Sequence, residues 1–136
     1  MGGIHVRVRA GGEDYALPVD GVTEVDQLGE VTPVPGSAPE VLGVRNLRGQ
    51  VLPVVDLATM FGLEPGGDRE RMVVAEEGDR RAALAVDSVE GVEEIPDPSE
   101  DAESDYLAGA VLVEGGLVGI VKVDALLEAL SPVDPS

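Results

Sequence analysis

The chain has 136 residues, 43% of them hydrophobic, and carries a formal net charge of −18. That length suits one domain or two small lobes sharing a core, and with Tyr15, Phe61 and Tyr106 as the only aromatics the core must be aliphatic. The charge opposes nucleic acid and anionic membrane surfaces, which require clustered cations, and the lack of cysteine excludes disulfides, thiol nucleophiles, zinc ribbons and iron–sulfur ligation.

Valine and glycine dominate, which favours strands and tight turns. Residues 4–9 alternate strictly, with Ile4, Val6 and Val8 on one face and His5 on the polar face, which predicts a half-buried strand and a surface histidine. A turn at 11–14 leads into a strand from Tyr15, and the Pro- and Gly-bearing stretch 27–39 reads as a loop. Strands over 41–47 and 50–55 flank Arg48-Gly49, and Leu57, Met60 and Phe61 then fall at helical spacing before Gly62. A second hairpin follows at 72–77 and 80–86, turned at Gly78-Asp79, with another strand over 89–95. The acidic stretch 97–105 reads as a solvated linker. A last hairpin, 107–114 and 117–122, turns at Gly115-Gly116, and 123–130 sets Val123, Leu126, Leu127 and Leu130 on one helical face.

The two halves echo each other. Residues 16–25, ALPVDGVTEV, match 83–92, ALAVDSVEGV, at six of ten positions with a constant offset of 67 (16 to 83). In both halves a Gly-centred hairpin and a short amphipathic helix follow. The expectation is a mostly β fold: one domain over 1–136, built of two small strand-rich barrel lobes, adjacent or intertwined, each closed by a short helix. The first lobe is expected to centre on about 15–63 and the second on about 71–122.

The inventory offers little chemistry. His5 has no acidic or nucleophilic neighbour in sequence, no phosphate-binding glycine motif occurs, and no serine sits in a nucleophile elbow. The 97–105 run lacks the mid-loop glycine and closing glutamate of a calcium loop. No cofactor, metal or catalytic residue is expected, and a small carboxylate-based hydrolase is the distant alternative. No apolar run reaches membrane-spanning length, so a soluble, cytoplasmic protein is expected.

What remains is a binding surface. Arg48, in a hairpin between apolar strands, has two readings: a structural ion pair pinning the turn, or a recognition contact made with its planar fork. Glu24 is its natural partner, because strict alternation along 22–25 would put Val22 and Glu24 on one face and Val25 on the other.

The stretch TPVPGSAPEVLGVRNLRGQVLPVVDLATMFGL, residues 32–63, resembles the CheW family of bacterial chemotaxis coupling proteins. The residues carrying the resemblance are Gly43, Val44, Asn46, Leu47, Arg48, Gly49, Pro53, Val54, Asp56 and Leu57, with Glu24 upstream and Tyr106, Leu107 and Gly109 downstream. Glu40 and Arg45 stand where apolar residues are usual, Lys122 interrupts the last strand, and Arg45 is expected at the solvent. The resemblance implies a non-catalytic adaptor, with two SH3-like five-stranded β-barrels around a shared core. It would bridge the regulatory domain of a chemotaxis histidine kinase to the cytoplasmic tip of chemoreceptors, recruited to membrane-associated arrays, with ring assembly left open. An adaptor of another chemosensory pathway, serving surface motility or second-messenger control, is the alternative. Carried over, Val22, Glu24, Asn46 and Arg48 would form or support the receptor groove, and Gly43, Leu47, Gly49, Pro53 and Asp56 would shape the hairpin. Kinase-contact residues are not assigned.

Overall fold

Two segments of this chain, 72–75 and 82–86, are apolar without alternation, and the reason is that they are covered on both faces. In the computed structural model, which describes residues 2–64, 69–98 and 104–130, they lie in two central strands. The chain order is β1 (Gly3–Ala10), β2 (Glu13–Pro18), a 3-10 turn (Val19–Gly21), β3 (Val22–Gln27), β4 (Val41–Leu47), β5 (Gln50–Asp56), α1 (Leu57–Met60), β6 (Arg71–Glu77), β7 (Arg80–Val86), β8 (Ser88–Ile95), β9 (Leu107–Val113), β10 (Gly116–Val121) and α2 (Val123–Leu130). The helix α2 coincides with the amphipathic pattern, and the acidic linker falls largely outside the described residues.

The strands form two five-stranded sheets, β8-β1-β2-β10-β9 and β3-β6-β7-β5-β4, here called the β1 lobe and the β6 lobe. Their orders are the same under the exchange of β1, β2, β8, β9 and β10 with β6, β7, β3, β4 and β5. The pairing registers carry the duplication residue by residue. Val22 pairs with Ala75 and Glu24 with Val74, while Val89 pairs with Val8 and Gly91 with Arg7. These are the same contacts at the offset of 67, and each ladder carries its irregularity at the same place. Parallel pairing joins β5 to β7 in one lobe and β10 to β2 in the other.

The lobes do not divide the chain at the expected centres. β6 and β7, from the second repeat, complete the sheet of β3, β4 and β5, while β1 and β2, from the first, complete the sheet of β8, β9 and β10. Each repeat lends its first hairpin to the other. A linear reading of the repeats misses this because pairing partners are set by which faces can be buried together, not by sequence order.

Three clusters of buried side chains follow from the sheets. The largest lies between the lobes and takes Val6, Val8 and Leu17 from one sheet, Val55, Val73 and Leu84 from the other, and Leu57, Leu126 and Leu127 from the helices. Smaller cores fill each lobe: Leu52, Val54, Met72 and Val74 in the β6 lobe, Ala16, Ile95, Val118 and Ile120 in the β1 lobe. Burying each large aliphatic side chain contributes about 1.5–3 kcal/mol, so the shared core is the main glue between lobes. The three aromatics gather at its rim, Phe61 stacking on Tyr15 with centroids 4.6 Å apart and meeting Tyr106 edge-on at 6.4 Å.

The expectation of a surface His5 is corrected. The side chain is buried, and its Nδ1 lies 2.7 Å from the Gly3 carbonyl. Ala16, the cross-strand partner of Arg7, and Ile95, that of Gly3, belong to the β1-lobe core, so the second face of β1 looks into that core rather than into solvent. That face also holds Arg7, paired with Asp14 at 3.3 Å and Glu93 at 3.4 Å.

Candidate functional site

The β6 lobe ends in two edge strands, β3 and β4, and the candidate residues lie where these edges approach. The hairpin β4–β5 pairs Leu47 with Gln50, leaving Arg48 and Gly49 as its two central residues. Both are left-handed, with φ of 51° and 83°, which is the type I′ geometry whose twist suits a two-residue hairpin. Gly49 adopts it freely; Arg48 is the non-glycine residue with positive φ among the described residues. The Gly49 amide donates to Asn46 Oδ1 at 2.9 Å, so Asn46 fixes the turn from within.

Arg48 then reaches across to β3. Its two terminal nitrogens donate to the two carboxylate oxygens of Glu24 at 2.5 and 2.9 Å, a bidentate fork. Glu24 is largely covered while Arg48 is 71% exposed, so the guanidinium forms the outer surface of the pair. The Arg48 hydrogen bonds hold the Glu24 carboxyl below the usual carboxylate range, and the Arg48 pKa rises in turn.

Glu24 and Val22 do not share a face. The β3 ladder shifts register between Val22 and Glu24, so that Val22 and Val25 pair with Ala75 and Val73 of the shared core, while Glu24 and Asp26 pair with Val74 and Met72 of the lobe core. The bulge at Thr23 breaks the period-2 pattern that strict alternation assumes. Glu24, Asn46 and Arg48 are thus brought together, and Val22 packs half-buried against the core between the lobes.

The other hairpin residues have identifiable tasks. A Cβ on Gly43 would collide with the carbonyl of Thr32, which pairs with Val44 across the edge of β4. Leu47 packs on the lobe core. Pro53 precedes the β5–β7 ladder, which begins at Val54, so its missing donor falls before the parallel pairing. Asp56 is buried and accepts from Thr59 Oγ1 and Arg69 Nη1, both at 2.7 Å, tying the start of α1 to the segment before β6.

Arg45 is not the solvent-exposed residue expected of it. It is half-buried, and its Nη1 donates to the carbonyls of Gln27 and Leu28 at 2.8 and 2.6 Å. The signal available in the sequence was Gly29, a glycine two residues past β3 in a loop that the arginine has to cross.

Comparison with known proteins settles the family. The CheW-like domain profile matches residues 5–131. The chain belongs to the CheW-like domain family. It is 34% identical over 125 residues to "Chemotaxis protein CheW" of Thermotoga maritima, covering 85% of this chain and 82% of that protein. It is 29% identical over 131 residues to the protein of the same name from Rhizobium meliloti, covering 89% and 84%. The crystal structure of scaffolding protein TtCheW from Thermoanaerobacter tengcongensis superposes with a TM-score of 0.79 at 27% identity, covering 90% of each chain. Membership makes this CheW-like chain a chemosensory adaptor. Among the described residues no helix is long and apolar enough to cross a membrane.

Proposed function

We propose that this CheW-like chain couples the cytoplasmic tip of chemoreceptors to the regulatory domain of a histidine kinase, without turnover of its own. It would work in the cytoplasm, recruited to membrane-associated receptor arrays. The observation that carries the reading is the Arg48–Glu24 fork, held on a left-handed turn where the edge strands β3 and β4 approach. An ion pair this exposed adds little to stability, so a non-glycine residue at positive φ is better accounted for by what it presents. A rigid, planar donor beside Asn46 suits recognition of a helical tip by polar contacts. On the opposite face of β3, Val22 packs half-buried against the shared core and Val25 is exposed, so the fork itself is the polar element of this edge.

The test is binding of the purified chain to a soluble receptor-tip fragment and, separately, to a kinase regulatory domain. Saturable binding to both, with a ternary complex, is the expected result. Failure to bind either one removes the coupling assignment.

A further inference from the structure

β3 and β4 sit at opposite ends of the β6-lobe sheet order, and no ladder joins them among the described residues. Side chains hold β3 itself to β4, and the main-chain bridge between Thr32 and Val44 closes the seam beyond the end of β3. Two arginines of the β4–β5 hairpin grip the β3 segment at two points. Arg48 holds Glu24; Arg45 holds the carbonyls of Gln27 and Leu28, with Met72 Sδ 3.2 Å from the same nitrogen. At a rise of about 3.3 Å per residue the two grips are roughly 10 Å apart along the strand. One grip alone is a pivot about which the edge strand can turn, whereas two fix its orientation.

Of the two grips, Arg45 is the firmer. It is half-buried, and its acceptors are main-chain carbonyls that neither titrate nor rotate away; Arg48 is mostly exposed and its acceptor is a carboxylate. Its guanidinium also lies against Gly29, where a Cβ would stand 3.1 Å from Arg45 Cζ, and Gly29 itself has φ of 68°. Glycine there provides both the turn and the space. The charged groups bearing on the Glu24 carboxyl are Arg48, Asp26 and Arg81, so Arg45 acts on it through position.

We propose that Arg45 is the positioning residue of the Glu24–Arg48 pair: by clamping the end of β3 to β4 it sets the span across which the bidentate fork forms. This deepens the proposed function and rests on the pair's belonging to the receptor face.

The experiment is an NMR titration of the Glu24 carboxyl in the full chain and in Arg45→Met, with melting temperature and receptor-tip affinity measured on the same samples. The expected result is that Arg45→Met moves the Glu24 midpoint upward toward the ordinary value of about 4.3 and weakens receptor-tip binding severalfold. Arg45→Lys, whose ammonium still reaches a carbonyl, keeps the midpoint low. The titration is run at about 0.15 M salt, where the Debye length is about 8 Å and Arg45, roughly 10 Å along the strand from Glu24, acts only weakly as a charge while the contact pair is kept. Should Arg45→Met not fold, Arg45→Gln gives the same reading with a smaller shift. An unmoved midpoint in a less stable Arg45→Met protein overturns the proposal and leaves Arg45 a structural staple. If the unaltered chain does not bind the receptor tip, the coupling reading is lost while the titration still decides Arg45.

Discussion

The hairpins β4–β5 and β9–β10 occupy equivalent places in the two lobes, yet their exposed chemistry is opposite. At an offset of 66 (43 to 109), Asn46, paired with Val51, corresponds to Leu112, paired with Leu117. Arg45 corresponds to Val111 and Arg48 to Glu114. The ladders around them are alike, down to the register shift that skips position 42 in β4 and position 108 in β9. Duplication has therefore kept what the backbone needs and let the outward residues diverge. One hairpin spends two arginines on closing its seam and shaping a polar surface; the other leaves Leu112 79% exposed, while the equivalent Val51 and Leu117 are alike at 61%.

If the lobes share their stability but not their surfaces, the largest effects must come from the core between them. Leu84→Ala, in the shared core, should destabilise by about 2–5 kcal/mol. Chemical denaturation should show a single transition followed alike by probes in both lobes. Two separated transitions would mean that the exchanged hairpins do not unite the lobes.

A smaller effect is expected at the seam. Gly43→Ala forces a Cβ against the Thr32 carbonyl at a φ of 149°, and should cost about 1–3 kcal/mol. The loss should appear as faster amide exchange at Thr32 and Val44, whose mutual hydrogen bonds are 2.8 and 2.9 Å, with the β1 lobe unaffected. Uniform loosening of both lobes would count against a local seam.

Smaller still is the pH response of the pair. Glu24 has a lowered pKa, so its contribution is fully present above the ordinary carboxylate value and disappears as pH falls through the lower folded one. Comparing the chain with Glu24→Gln between neutral pH and strong acid should show a stability difference that shrinks on acidification. A difference that grows on acidification would show the sign to be wrong.

Much of this architecture can be read from the residues. The 67-residue echo, the glycine-centred hairpins and the Val123–Leu130 helix follow from period and turn chemistry, and each reappears in the fold. The Glu24–Arg48 pair was also legible, because an acid among valines and an arginine in a glycine turn both lack local partners. What escaped had non-local causes. The choice between adjacent and intertwined lobes stayed open in the sequence, because the exchange of hairpins depends on which faces meet in three dimensions. The bulge at Thr23 shifts β3 by one residue, and that is enough to send Val22 and Glu24 to opposite faces. Arg45 and His5 looked like surface residues because strand alternation says nothing about what packs over the second face.

The central claim is that Arg48 is held at positive φ for recognition rather than for stability. Receptor-tip binding by Arg48→Gly, measured beside its melting temperature, tests this most directly, because glycine relieves the left-handed backbone while removing the fork. The account predicts an unchanged or higher melting temperature with receptor-tip binding lost. A clear fall in melting temperature with binding retained would contradict it.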